Sequence, residues 1–587
     1  MDARRIRKQQ PYSPVSTHEL ESEGTCRPES EERPSFLSKR PAVILGTFIL
    51  MLLPFIVVLS NRSPSLAMLC KAGSVEGTGG FEAKAKQGSE NDYFASSYIA
   101  EGNLPPKNIT RDMLLGGLLV PGFDKGSCLS RYQSALYRKE SPHLPSPHLL
   151  ERLRIQEALQ KKCGPGTKLY RQAIERLKSG TSTENSECNY VVVLSYSGLG
   201  NKMLTLTSAF LYAILTNRVL LIDPGAHIAD LFCEPFPNTT WLLPPDFPID
   251  HVSSIFKGDP RSYGEMLKGK LIGNAVNGAT NGSQLPPYVY LHLSHDYGDF
   301  DKLIYCEDDQ RLLRKVPWLL LRSNQYFVPT LFLIPEYEQE LGRLFPKKDT
   351  VFHHLGRYLF HPTNPVWGMI VRSYQAYLAK ADETVGIQIR IFDKKNTPFQ
   401  HVLDQILTCS LEEKVLPNLS LHEPVASSTH AKSKVVLVTS LDSAYFERLR
   451  SMYWEHPTAT GEIIGVYQPS HEGFEQTGKE MHEMKAWAEI YLLSLTDTLV
   501  SSSWSTFGYA ARGLGGLKPW IVTYKTTNQM ANPPCRRAMS MDPCFHFPPF
   551  VDCRARAKSS VDQGALFPYL RHCEDSWGLK LVDPAEQ

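Results

Sequence analysis

The stretch "TDTLVSSSWSTFGYAARGLGGLKPWIVTY", Thr496 to Tyr524, reads as strand, turn, helix and strand in immediate succession. Its first apolar run ends in Ser501, Ser502, Ser503, Ser505 and Thr506, then passes at once into a small-residue helix. Three further segments of this kind precede it, and its own closing strand completes the set. "VGIQIRIF" (Val385 to Phe392) leads to a helix near Phe399 to Cys409, and "KVVLVT" (Lys434 to Thr439) to one near Ser443 to Met452. "EIIGVY" (Glu462 to Tyr467) precedes a long helix near Lys479 to Ser494, and "PWIVTY" closes the set. In the long helix Met484, Ala488, Tyr491, Leu492 and Leu495 share one face, and Lys485 and Glu489 are spaced for an i,i+4 pair off it. Strands alternating with helices predict a parallel sheet covered on both faces, which binds ligands beyond the carboxyl ends of its strands.

The first half repeats the pattern once. "NYVVVLSYSGLGNKMLTLTSAFLYAILTNRVLLID" is strand, glycine turn, helix and strand. Two α/β halves facing a cleft are therefore expected. The turn "SYSGLGNKM" satisfies neither nucleotide fingerprint, because Met203 stands where a Rossmann turn needs a small residue and where a P-loop needs a hydroxyl. Gly198 and Gly200 still permit a tight turn and close backbone approach, to a ligand or to another strand.

Arg390 ends the apolar strand "VGIQIR". Its planar fork suits two phosphate oxygens and stays charged at any physiological pH; a salt bridge to Asp393 is the plainer alternative. The helix beginning at Thr506 presents free N–H groups and a positive dipole end, with Ser505 as its N-cap. Hydroxyls, amides and Arg390 together predict a diphosphate site without a metal. "GDFDK" carries Asp299 and Asp301 at the spacing of a metal-binding pair, a pattern frequent by chance, and neither it nor His295 or Asp296 is assigned a metal.

The chain has 587 residues, a formal charge of +2 and 42% hydrophobic residues, which gives no global pull toward nucleic acid and enough apolar surface for more than one core. "PAVILGTFILMLLPFIVVLS", residues 41–60, contains no charge and at 1.5 Å per residue spans a bilayer of about 30 Å. Basic residues crowd ahead of it, so residues 1–40 are read as a cytosolic tail, 41–60 as a type II signal anchor and 61–106 as a stem poor in apolar residues. Asn108, Asn238, Asn281 and Asn418 head glycosylation sequons. Ten cysteines from Cys128 to Cys573 lack any C-x-x-C pair and read as disulfides of an oxidising compartment, with the pairing left open.

The blocks "SGLGNKMLTLTSAFLYAILTNRVLLID", "HHLGRYLFHPTNPVWG", "VGIQIRIFD", "VVLVTSLDSAYFERLRSMYWE", "GEIIGVYQPSHEGFEQT", "AEIYLLSLTDTLVSSSWSTFGYAARGLGGLKPW" and "HCEDSWGLKL" resemble the plant galactoside 2-alpha-L-fucosyltransferases, above all those acting on xyloglucan. The resemblance covers nearly all of 114–582. It implies a Golgi membrane enzyme of GT-B-like fold, with two Rossmann-like domains, and no metal. Such an enzyme moves L-fucose from GDP-fucose to the 2-hydroxyl of galactose with inversion. Residues 107–380 then form an acceptor-side domain, 381–530 the GDP-fucose-binding domain and 531–587 a disulfide-rich segment packing back on the first. By position, Arg390 meets the donor diphosphate, Ser505, Thr506 and Phe507 form the donor turn, and Thr439, Ser440 and Asp442 lie near ribose or guanine. The turn Gly198, Gly200 and Asn201 joins this donor set, and Asp575 matches a carboxylate implicated in activity and stands as base, with His295 or Asp296 in reserve. Asn324 departs from the acidic residue of the xyloglucan enzyme. The implied partners are galactose-ended polysaccharide side chains and the Golgi membrane. Arabinogalactan as acceptor, a non-catalytic glycan-binding role, a homodimer and a complex with other glycosyltransferases stay open.

Overall fold

The runs YVVV and VLLI carry no polar residue on either side of the pleat, so each must be covered on two faces. They form β1 (Tyr190–Val193) and β2 (Val219–Ile222), which with β3 (Tyr288–His292) and β4 (Trp318–Arg322) make a parallel sheet of order β2-β1-β4-β3. This computed structural model describes residues 112–586 apart from 181–185, 195–196, 226, 250–251, 273–285, 421–430 and 525–529. The expected tail, anchor and stem, with Asn108 and Asn281, lie outside the described residues; among those described, no helix is long and apolar enough to cross a membrane. Asn238 and Asn418 are exposed.

The second sheet has β5 (Glu383–Ile389), β6 (Ser433–Ser440), β7 (Ile463–Tyr467), β8 (Thr498–Ser502), β9 (Trp520–Val522) and β10 (Arg536–Arg537) in the order β10-β9-β8-β5-β6-β7. Only β10 runs antiparallel. β5 is central because Val385, Ile387 and Ile389 are buried on one face while Gly386 faces Leu493, Leu499 and Thr496 on the other. A Cβ on Gly386 would stand 2.8 Å from Leu493, so this strand passes close beneath its covering helix only because position 386 lacks a side chain.

Seven helices place the site: α1 (Leu199–Thr216), α2 (Val351–Leu359), α3 (Asn364–Ser373), α4 (Phe399–Glu412), α5 (Ala444–Glu455), α6 (Glu480–Leu493) and α7 (Thr506–Gly515). From Leu199 to Leu215 only Asn201 on α1 is not buried, because the helix lies between the two sheets and packs on α2, α6 and α7. One apolar core accordingly runs from Val191 and Leu220 of the first sheet through Met203 and Phe210 to Trp487, Leu499 and Tyr509 of the second half. Separate cores cover the outer faces, under α4 and α5 on the second sheet and around Tyr190 and Trp318 on the first.

Across this shared core Lys202 on α1 donates to both oxygens of Glu483 on α6, at 2.8 and 3.1 Å, with each side chain 3% exposed. The lysine that a P-loop reading would have aimed at phosphate is thus spent on holding the halves together. The α6 pair expected between Lys485 and Glu489 is not what either residue makes. Lys485 donates to Glu472 at 2.5 Å, and Glu489 accepts from the hydroxyl and N–H of Ser470 at 2.6 and 3.1 Å. Burial lifts the Glu489 carboxyl to about 7. The segment ahead of α6 needed those partners more than α6 did.

All ten cysteines from Cys128 onward pair: Cys128–Cys233, Cys163–Cys188, Cys306–Cys553, Cys409–Cys535 and Cys544–Cys573. The third ties the C-terminal segment to the first half, where Arg556 also forks onto Asp309 and Tyr326 donates to Asp542 at 2.9 Å.

Removing one partner of a buried ion pair strands the other charge, at a cost of about 3–5 kcal/mol. Lys202→Met should therefore lower the unfolding midpoint steeply in a denaturant titration followed by tryptophan fluorescence. The double substitution Lys202→Met with Glu483→Met should recover most of that loss.

Candidate active site

Gly198 is the N-cap of α1 and Ser505 the N-cap of α7, both in extended backbone. The two helix starts abut. A Cβ on Gly200 would lie 2.7 Å from the Thr506 carbonyl carbon and hydroxyl and 2.8 Å from the Phe507 nitrogen. Only glycine admits that approach. Each helix brings first-turn amides with no intrahelical acceptor and a partial positive charge, so two positive ends meet at one point. An anion is the group that relieves such an arrangement.

Arg390 follows β5 directly, and its N–H donates to the Ser502 hydroxyl at 2.9 Å. Its guanidinium, 30% exposed, pairs with Glu475 at 2.5 Å rather than with Asp393, which instead accepts from Asn396 and Lys395. The other Glu475 oxygen lies 3.2 Å from where a Cβ of Gly198 would stand. The glycine turn, the serine-threonine turn and Arg390 thus face one location.

The serine run divides in use. Ser501 donates to Gln388 at 3.0 Å, Ser502 accepts from Arg390 and donates to the Gln388 carbonyl at 3.3 Å, and both hydroxyls are buried. These two lock β8 to β5. Ser505 caps α7 by accepting from Gly508. Amides of Thr506 and Phe507, with the Thr506 hydroxyl, remain as the groups fit to meet a ligand; Asn201 sits half-buried in the first turn of α1. Beside β5, register pairs Gln388 with Thr439 and Ile389 with Ser440. Thr439 is 2% exposed, Ser440 accepts from the Asp442 N–H at 3.0 Å, and Asp442 accepts from the Ala444 N–H at 3.1 Å to start α5. This β6 turn is next to Arg390, but part of its polar capacity goes to its own geometry.

Trp504 takes the left-handed conformation at φ 61°, a strain of about 1–2 kcal/mol for a residue with a side chain. Asp575 is what holds it there. Asp575 Oδ2 accepts from the Trp504 N–H at 2.9 Å and from the Tyr509 hydroxyl at 2.7 Å, and its carbonyl accepts from the Trp504 indole at 2.9 Å. Tyr509 also meets His546 Nε2 at 2.8 Å, and the indole stacks on the His546 ring at 4.5 Å. Burial would raise the Asp575 carboxyl, but the charge of His546 and these two bonds outweigh it and hold the group below the usual carboxylate range.

Across the rim, Phe547 stands 6.1 Å from Trp504 and 5.8 Å from His295. Asn324 Oδ1 accepts from the His295 backbone N–H at 3.1 Å and from the Gln325 side-chain amide at 3.0 Å, which leaves Nδ2 to donate to His295 Nδ1 at 2.8 Å. A neutral His295 therefore carries its proton on Nε2. Asp296 accepts from His292 at 2.9 Å, and this bond, against a smaller effect of burial, holds it at about 2. Asp299 and Asp301 do not converge: Asp299 is exposed and pairs with Lys302 at 2.7 Å, whereas Asp301 is buried and accepts from the Gly298 N–H at 2.9 Å.

Residues 92–554 match the model of the xyloglucan fucosyltransferase family. A galactoside 2-alpha-L-fucosyltransferase of Pisum sativum is 58% identical over 479 residues, covering 81% of this chain and 83% of that protein. The chain belongs to the xyloglucan fucosyltransferase family. A galactoside 2-alpha-L-fucosyltransferase of Arabidopsis thaliana is 55% identical, over 83% of this chain and 87% of that one. A mutant of Arabidopsis thaliana FUT1, solved in complex with GDP, is 56% identical and superimposes with a TM-score of 0.74 over 80% of this chain and all of that structure.

In this family member, sequence reasoning found both turns and Arg390 but missed Glu475, Lys202 with Glu483, and the Trp504–Tyr509–His546 support of Asp575. For Glu475 and Glu483 the signal was a carboxylate-rich run, "HEGFEQTGKEMHE", that leads from β7 into the first turn of α6; the others had none. Gly200→Ala tests the abutment. We expect the variant to fold with the wild-type circular dichroism spectrum and to bind GDP at least tenfold more weakly by calorimetry.

Proposed function

We propose that the chain transfers L-fucose from GDP-fucose to the 2-hydroxyl of a galactose on a cell-wall polysaccharide, xyloglucan being the first acceptor to test. The observation that carries this reading is the meeting of two helix N-termini beside Arg390. Their amides and the guanidinium are aimed where a leaving diphosphate gains charge. Preorganised donors of this kind contribute about 3–4 kcal/mol each to a transition state. The relatives' names and the GDP held by the FUT1 mutant support the same donor.

Arg390 and the first turns of α1 and α7 bind the β-phosphate and stabilise its departure with fixed charge, the task a divalent cation performs elsewhere. The separate engagements of Asp299 and Asp301 favour this metal-free route. Thr439, Ser440 and Asp442 flank the nucleoside. Asp575 works as a positioning residue that fixes Trp504, and through it the donor turn; its depressed pKa suits it poorly to take a proton. Asp296 is likewise a weak base, and His295 offers an N–H toward the rim. A set without a strong base suits a loose transfer, in which the sugar–phosphate bond breaks well ahead of proton loss from the galactose hydroxyl. Trp504 and Phe547, both exposed, give a sugar ring an apolar face beside the donor.

Golgi residence as a single-pass type II protein is part of the proposal. It rests on the uncharged span at 41–60 with its basic flank, and on five disulfides that require an oxidising lumen.

The luminal part should be incubated with GDP-fucose labelled in the sugar and a panel of galactosylated xyloglucan and arabinogalactan oligosaccharides. Transfer to a galactose 2-hydroxyl is expected; no transfer to any member overturns the enzymatic reading. Activity should persist in excess EDTA. Arg390→Ala should lower kcat/KM at least a hundredfold while thermal unfolding stays near wild type.

A further inference from the structure

Glu475 sits in the segment joining β7 to α6, and its carboxylate stands where the proposed diphosphate needs to be. One oxygen takes the Arg390 guanidinium at 2.5 Å; the other accepts from the Thr477 hydroxyl at 3.1 Å and lies against Gly198. It is an anion, held between the guanidinium and the α1 turn.

The segment carrying it is pinned at its ends, and in its middle Gln476 donates to Glu472 at 3.4 Å and accepts from the Lys479 N–H at 3.0 Å. Ser470 is held by Glu489, and Glu472 accepts from Lys485 at 2.5 Å and pairs with His482 at 3.0 Å. At the far end the Gly478 N–H donates to Glu483 at 3.1 Å, the same carboxylate that Lys202 grips. Gly473 lies between these anchors and Gly478 at the far one; they adopt φ of 78° and 81°, conformations glycine reaches without cost, and a Cβ on either would meet nothing within 4 Å. Glu475 itself is 43% exposed, so water already reaches the pair. A half-exposed carboxylate on a strap with glycine joints is displaceable in a way that the buried Lys202–Glu483 pair is not.

Resting on the donor-site reading above, we propose that Glu475 is a built-in competitor of the donor diphosphate: it occupies Arg390 when the site is empty, swings aside as the diphosphate enters and re-pairs to help expel the GDP product. A positioning role would give the opposite sign on removal. A residue that merely orients Arg390 or supports the strap weakens nucleotide binding when lost, whereas a competitor strengthens it.

The test is calorimetric binding of GDP to the protein carrying Glu475→Gln, which keeps the side chain's size and removes its charge. The pair is exposed and therefore weak, so the Kd for GDP should fall about two- to fivefold. The product-inhibition constant of GDP should fall in parallel. A Kd that is unchanged or raised overturns the proposal. Arg390→Lys serves as the control. If it leaves GDP affinity intact, the donor-site reading fails; if it weakens binding while Glu475→Gln does not tighten it, only the competitor fails.

Discussion

Lys202 and Glu483 form an ion pair with almost no access to water, and it joins the helix that starts at the glycine turn to the helix that follows the Glu475 segment. Lys202 lies within the first turns of α1 and Glu483 within the first turn of α6, so the bond sets the first half against the second close to where both carry their chemistry. Its Coulombic gain only roughly offsets the desolvation of two charges. What it supplies is registry. With α1 fixed against α6, Gly200 falls on Thr506 and Phe507, and two positive helix ends are forced together. That juxtaposition is electrostatically unfavourable in the empty protein and becomes favourable when an anion enters. Glu475 is the anion the chain itself provides at that edge.

The same constraint explains how polar groups are apportioned. Hydroxyls that look like ligands, Ser501 and Ser502, are consumed by the β8–β5 joint, because Gln388 and Arg390 stand beside them. Asp575, which looks like a base, spends one carboxylate oxygen on the Trp504 N–H and the Tyr509 hydroxyl. What is left facing outward is mostly backbone amide and the Arg390 guanidinium, groups that attract an anion but do not serve as a base. The site is built to accept a leaving anion more than to activate a nucleophile.

Much of this was legible in the sequence where the cause is local. The apolar runs marked the five parallel strands of the second sheet, β5 to β9, to within a few residues, whereas the short exposed edge strand β10, made of two arginines, carries no such run. Arg390 was legible because an arginine at the end of such a run needs a partner. Ser505 was legible as a cap because a helix follows it at once. Features set by strand order or distance along the chain were not. Ser501 and Ser502 are read correctly only when β8 is known to neighbour β5. Lys202 and its partner are 281 residues apart. The expected Lys485–Glu489 pair failed for the same reason: a segment distant from that helix face in the pattern, though near in sequence, took both side chains. Cysteine pairing, with separations from 25 to 247 residues, carries no local signal at all.

Amide hydrogen exchange on the protein, with and without saturating GDP, tests the joining of the two turns most directly. If both helix starts share one anion, exchange should slow together in the peptides containing 198–203 and 504–509. Protection of only one of them, or protection centred instead on Asp299 to Asp301, would contradict the account.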